Sequence, residues 1–338
     1  MQYCFGLAAL VSSCSTDDGP TPLPPVFPPS ATEVLVLNEG IFQRGNASIT
    51  AYDPESGSAA DAGFALAEPS ALDVLQSAVR LDDNRIVLVS NNTNALIVVD
   101  AAERTELRRF AGLGSPRYAV PTDDGQLLST ELYTPRALLT DLADGTKREI
   151  SLSYPAEQVA RVGDAYVLAS PNSEYLYWLT GAPLRLTDSI RVGRRIAVLA
   201  KADDDVLYAA SGVVENDHSG GLYRVDLATS RVDLLRSFPF DSSSYYPRVV
   251  TDGEVVYCLQ AGLWAVSVAE GSEAIVRSID LPADRIYYGL GLDRTGGRVY
   301  VGDANDFSGA GEVLVIEADG TPVDTFRAGF LPNGFVFP

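Results

Sequence analysis

The chain has 338 residues, 46% of them hydrophobic, and carries 45 acidic against 25 basic side chains, for a net charge of -20. That balance excludes a nucleic-acid binder, which needs a basic footprint, and argues against docking on anionic lipid headgroups. Only Lys147 and Lys201 are lysine, and an acidic, arginine-based surface fits a saline habitat and a high-GC genome equally well.

Residues 1–14 read MQYCFGLAALVSSC. The apolar run at 5–11 is too short to cross a bilayer as a helix. It ends in Val11-Ser12-Ser13-Cys14, which resembles a bacterial lipobox, and the resemblance makes Cys14 the acylated mature N-terminus. No Lys or Arg precedes the apolar run, which points to a leader beginning upstream of Met1. Asp17 and Asp18 behind the cysteine resemble a Bacteroidetes-type surface-export signal. Residues 19–30, GPTPLPPVFPPS, read as a proline-rich, semi-rigid tether, so the expected layout is a leader (1–14), a tether (15–32) and one folded domain (33–338).

The folded part is organised around residues 33–57, EVLVLNEGIFQRGNASITAYDPESG. VLVL at 34–37 suits a buried strand, ASITAY at 47–52 a second strand, and DPESG at 53–57 a turn. The unit recurs in degenerate form along the chain, with all β structure expected after it. Only SALDVLQSAV at 70–79 is ambiguous, as a short helix or an inner strand.

Two families of turns recur. One holds 82–84, 123–125, 163–164, 203–205, 252–253 and 293–297, each followed by an apolar run, which is the strongest short hairpin signal. The other holds 53–57, 100–103, 141–145, 180–182, 226–230, 269–271 and 317–320. Their spacing of about 40–50 residues is that of a four-stranded propeller blade. With strands A to D running outwards from the channel, the first family is A–B and the second C–D. Seven C–D turns against six A–B turns leave the first unit without an inner strand, and residues 330–338, FLPNGFVFP, supply one. The expected fold is therefore all-β: a seven-bladed β-propeller of four-stranded antiparallel blades, closed by a C-terminal strand that completes the first blade.

Few residues suggest catalysis. No phosphate-cradling glycine loop, metal-spaced Cys or His pair, or Gly-x-Ser-x-Gly is present, so no catalytic residue, metal or cofactor is assigned. His218, the one histidine, lies in a polar loop, and Cys258 sits in an apolar run as a buried thiol. The Asp-rich turns read as turn chemistry and not as calcium loops. Glu39, Glu131, Glu157 and Asp303 could converge in the channel as a hydrolase or lactonase set.

What remains is recognition. In a propeller the B–C loops and D–A connections share one face. They carry Asn38, Glu39, Phe42, Arg44, Asn91, Asn92, Tyr133, Asn172, Tyr175, Asp303 and Asn305 in the loops. The inner strands begin with Gln76, Arg117, Tyr118, Gln158, Tyr246, Tyr287, Tyr288 and Asn333. Tyr and Asn combine rigid aromatic area with hydrogen bonding, which suits a large polar ligand at the channel mouth.

Leu37-Asn38-Glu39-Gly40 followed by residues 46–53, the degenerate blades and the closing LPNGFVF at 331–337 resemble the YncE-like, DUF5074-type propeller lipoproteins of Bacteroidetes-type cell surfaces. The resemblance spans residues 34–338. That group includes cobalamin-binding surface lipoproteins that cap a TonB-dependent vitamin B12 transporter. It implies an outer-membrane, cell-surface, non-catalytic protein that captures a small-molecule ligand such as a corrinoid and passes it to such a transporter, touching the membrane only through its lipid. A propeller hydrolase and an adhesion or scaffold propeller stay open beside it.

Overall fold

The computed structural model describes residues 32–67, 72–212, 219–239, 247–267 and 274–338. These form seven antiparallel sheets of four strands each. Blade 1 is β28 (Pro332–Val336), β1 (Val34–Asn38), β2 (Ser48–Asp53) and β3 (Ser58–Asp61), in that order from the centre. Blade 2 is β4 (Leu75–Arg80), β5 (Arg85–Ser90), β6 (Ala95–Asp100) and β7 (Thr105–Ala111). Blade 3 is β8 (Pro116–Pro121), β9 (Gln126–Glu131), β10 (Arg136–Asp141) and β11 (Lys147–Ser151). Blade 4 is β12 (Gln158–Val162), β13 (Ala165–Ala169), β14 (Tyr175–Thr180) and β15 (Arg185–Arg191). Blade 5 is β16 (Ile196–Lys201), β17 (Val206–Ser211), β18 (Ser219–Asp226) and β19 (Arg231–Pro239). Blade 6 is β20 (Arg248–Thr251), β21 (Val255–Leu259), β22 (Leu263–Ser267) and β23 (Ile275–Ile279). Blade 7 is β24 (Tyr287–Asp293), β25 (Arg298–Asp303), β26 (Ala310–Glu317) and β27 (Pro322–Phe330).

The expected propeller is the observed one, and the ambiguous 70–79 segment contributes the inner strand β4. The middle strands are apolar on both faces because each blade is covered on both sides. Seven apolar clusters fill the seven gaps between neighbouring blades: Leu88 and Ile97 of blade 2 meet Leu37 of blade 1, and Leu199 and Leu207 of blade 5 meet Val167 of blade 4. The outermost strands are the exposed ones, as in β15, where only Ile190 is buried.

The last gap differs in chemistry. Tyr52, Tyr300, Phe326, Phe335 and Phe337 converge between blades 7 and 1, with Tyr52 stacked on Phe326 at 4.0 Å between ring centroids. Tyr52 also donates its hydroxyl to Asp324 across the seam at 2.8 Å. Glycines let β28 come this close. A Cβ at Gly289 would lie 2.4 Å from the Pro332 carbonyl oxygen, and one at Gly302 would lie 2.2 Å from it. Backbone cannot yield to such a contact, so the seam needs glycine at both places.

Cys258 is fully buried in blade 6, and burial pushes its thiol far up. Cys14, the tether, His218, Tyr246 and the 269–271 turn lie outside the described residues.

Two outcomes follow for closure. Deleting residues 330–338 should leave β1 without its inner partner and remove the Phe335 and Phe337 rings packed against blade 7, lowering the melting temperature or causing aggregation; a truncated chain that melts like the full one contradicts this. Gly302→Ala should destabilise by about 2 kcal/mol through overpacking, read by urea denaturation.

Candidate functional site at the channel mouth

The B strands of all blades run toward one face, so the B–C loops and the starts of the inner strands gather there. Six of the seven inner strands share an irregularity at that end, and β20 alone keeps a regular register. The pairing register shifts at Gln76 in β4, at Arg117–Tyr118 in β8, at Ala197 in β16, at Tyr288 in β24 and at Asn333 in β28. In blade 4 both Glu157 and Gln158 address Ala169. A bulge places an extra residue opposite one partner and re-aims its side chain. Here it brings polar side chains of different blades together.

Arg117 holds Glu157 through both of its carboxylate oxygens, at 2.6 to 3.0 Å, and also donates to Gln76. Tyr288 donates its hydroxyl to Glu39 Oε2 at 2.8 Å. Asn333 donates to the same oxygen at 3.1 Å and to the carbonyls of Leu75 and Gln76. The closing strand thus ties blades 1 and 2 at the mouth. Arg248 lies over the Tyr288 ring, 5.0 Å from its centroid. Tyr288 in turn meets Phe307 edge-on at 5.7 Å, linking this inner ring to the loops above.

Electrostatics follow from the enclosure. Burial works against the Arg117 charge, but Glu157 more than offsets it and holds the guanidinium above its ordinary value. Arg248 is also held above its ordinary value: burial opposes its charge, and Tyr118, Tyr288, Glu39 and Glu157 outweigh that. Burial pushes the Tyr118 phenol up, so it stays a neutral hydrogen-bonding group near neutral pH.

Above the ring stands a crown of exposed aromatics. Phe42, Tyr133, Tyr154, Tyr175 and Phe307 all sit in B–C loops, D–A connections or the strand start beside them. The other faces differ: Leu107, Leu186, Leu234, Ile275 and Val323, the exposed aliphatics of the rim, lie on outermost strands.

The expected site residues therefore fall into three sets. Glu39, Arg117, Tyr118 and Tyr288 belong to the inner ring. Phe42, Tyr133 and Tyr175 form the crown, with exposed Arg44, Asn172 and Asn305 in the same loops. The third set is used inside the fold. Asn38 is fully buried and bonds Ser48 and Thr50; Asn91 reaches the Pro116 carbonyl; Asn92 bonds Asp73 at 2.6 Å. Tyr287 donates to the Pro282 carbonyl, and burial raises its phenol to about 12. Of the four carboxylates that could converge, Glu131 pairs with Arg136 and Asp303 with Arg285 within their own blades. Only Glu39 and Glu157 reach the mouth.

Arg248 was not expected among the site residues. Its signal is positional: it follows Pro247 at the start of an inner strand, as Arg117 follows Pro116.

The sequence matches DUF5074, a domain of unknown function, over residues 33–318, and the chain belongs to that family. No curated protein matches it. Solved structures share the fold at low identity. A hypothetical selenium-binding protein from Sulfolobus tokodaii aligns with TM-score 0.69 and 10% identity over 91% of this chain and 94% of that one. A provisionally named 6-phosphogluconolactonase from Bacteroides fragilis aligns at 0.67 and 13% over 92% and 99%. A quinonprotein alcohol dehydrogenase-like protein from Bacteroides thetaiotaomicron aligns at 0.66 and 12% over 91% and 78%.

Glu157→Ala should strand the enclosed Arg117 charge and cost about 2 kcal/mol. Arg191→Ala, which breaks an exposed pair with Glu174, should cost under about 0.5 kcal/mol. Equal losses in denaturant titrations would mean that the mouth network is not enclosed.

Proposed function

We propose that this DUF5074 propeller is a non-catalytic, surface-anchored binder that captures a large polar ligand over its channel mouth and passes it to a TonB-dependent outer-membrane transporter. A corrinoid is the ligand the reading favours. The observation that carries it is the joint presence of a polar inner ring and an aromatic crown on one face. A corrinoid is wide, nearly flat and fringed with amides. It needs hydrogen-bonding groups arranged in a ring with aromatic surface beside them, and several blades converging at the mouth supply that geometry.

A hydrolase reading would need two carboxylates poised for acid and base work. Glu157 is instead clamped by Arg117, and Glu39 takes two neutral donors. The clamp gives Glu157 a scaffolding use and leaves Glu39 without a second free carboxylate to work with.

The anchoring half of the proposal fits the way the chain enters the propeller. Glu33, just before β1, pairs with Arg104 in the C–D turn of blade 2 at 2.5 Å. The chain thus arrives on the face opposite the mouth, and a lipid on Cys14 leaves the mouth unobstructed. Fully extended, residues 15–32 reach about 55 Å, enough to present either face to a membrane partner.

Calorimetric titration with cyanocobalamin tests the ligand. Tyr118→Ala combined with Tyr288→Ala should weaken binding by about 2 kcal/mol or more, as loss of aromatic anchors does. Asp123→Ala with Asp252→Ala, on the opposite face, should leave it unchanged. No heat of binding, or equal losses from both pairs, contradicts the proposal. Fatty-acid labelling of whole cells should mark the native protein and not Cys14→Ser; equal labelling contradicts the anchor.

A further inference from the structure

The inner ring holds two opposite charges that do not meet. Arg117 and Glu157 neutralise each other directly. Arg248 and Glu39 do not: among the described residues no carboxylate forms an ion pair with Arg248, and no cation forms one with Glu39. Both touch Tyr288 instead, Arg248 over the ring and Glu39 at the hydroxyl.

Each has unused capacity. A guanidinium offers five N–H donors. Arg248 gives one hydrogen bond, from Nη1 to the Pro247 carbonyl at 3.2 Å. Arg236 Nε is sealed in the seam between blades 5 and 6 with no partner, whereas no Arg248 nitrogen is sealed in this way, so its remaining donors stay reachable. Glu39 accepts both of its bonds on Oε2, and Oε1 is likewise unsealed and unbonded.

We infer that Arg248 and Glu39, both held against Tyr288, one over its ring and one at its hydroxyl, form a donor–acceptor pair that recognises a neutral primary carboxamide of the ligand and rejects the corresponding carboxylate. The inference deepens the binding function proposed above and rests on its placement of the ligand at the mouth. A carboxamide carries an acceptor and a donor on one flat group. Its oxygen takes N–H from Arg248, and its NH₂ gives to Glu39 Oε1. A carboxylate satisfies Arg248 but sets a second negative charge against Glu39 and leaves that oxygen without a donor. An ammonium fails in the opposite sense against Arg248. Discrimination of this kind is large when a site's enclosed polar groups are left unpaired by the wrong ligand. The net charge of -20 acts in the same direction, since it disfavours anions at long range.

The test uses the full chain and two matched ligand pairs. In saturation-transfer NMR, nicotinamide should contact the protein and nicotinate should bind at least tenfold more weakly. Arg248→Met should abolish the nicotinamide contact. Glu39→Gln, which is nearly isosteric and covers the case in which Arg248→Met does not fold, should narrow the gap between amide and acid. No contact from nicotinamide, equal or tighter binding of nicotinate, or an amide preference that survives Glu39→Gln undiminished overturns the inference. The second pair is cyanocobalamin and its monocarboxylic acid hydrolysis product. Cyanocobalamin and the acid binding alike overturns the amide recognition while leaving corrinoid capture standing. An amide preference for nicotinamide with no corrinoid binding at all supports the recognition and rejects the corrinoid.

Discussion

Every blade of this protein is a four-stranded sheet with apolar residues on both faces, and no blade can bury both without two neighbours. The ring therefore has to close, and one short strand, β28, closes it. It brings the C-terminal residues back to pair with β1, next to the first residues of the fold. The seam it forms is the aromatic one, with Tyr300 touching both Phe335 and Phe337. Gly289 and Gly302 let blade 7 pack against the Pro332 carbonyl of β28. The same strand carries Asn333, whose amide bonds Glu39 and the backbone of β4. Closure of the fold and assembly of the mouth are thus one event.

The mouth gathers polar and aromatic side chains from several blades on one face. The side chains of the inner ring come from strands or from the residues directly beside them, and register shifts at Gln76, Arg117–Tyr118, Tyr288 and Asn333 turn several of them toward one another. The adaptable part is confined to the loops above, where exposed aromatics cost little conformational entropy to order. Arg117 and Glu157 fix the ring, Arg248 and Glu39 keep bonding capacity in reserve, and Tyr288 joins the two functions by touching Arg248, Glu39 and Phe307. The same fold in other proteins has other uses, so the chemistry of this ring carries the functional reading and the architecture alone does not.

The architecture was legible in the sequence because turns advertise themselves. Asp-rich hairpins mark the six A–B connections, and the surplus C–D turn revealed the displaced inner strand at the C-terminus. The face was legible for the same reason, since topology fixes which loops share it. Individual side chains were less so. Asn38 and Asn91 look like ligand contacts in sequence but sit at the mouth ends of blades, where the ladder stops and a backbone or hydroxyl group needs a partner. Tyr287 and Tyr288 are adjacent and alternate in direction, one toward the blade seam and one toward the channel. Arg248 was not legible because composition singled out the tyrosines before Pro247, and which residue of a strand start lies over the Tyr288 ring depends on the packing of blade 6 against blade 7. Cys14 and Tyr246 lie outside the described residues.

The claim that most depends on all of this is that the ligand sits on the face built by the B–C loops and inner-strand starts. Hydrogen–deuterium exchange of the full chain with and without cyanocobalamin measures it most directly. The account predicts slowed exchange in the loops around Phe42, Tyr133 and Tyr175 and at the starts of β8, β20 and β24, with the A–B and C–D turns unaffected. Protection confined to those turns or to the outermost strands would contradict it.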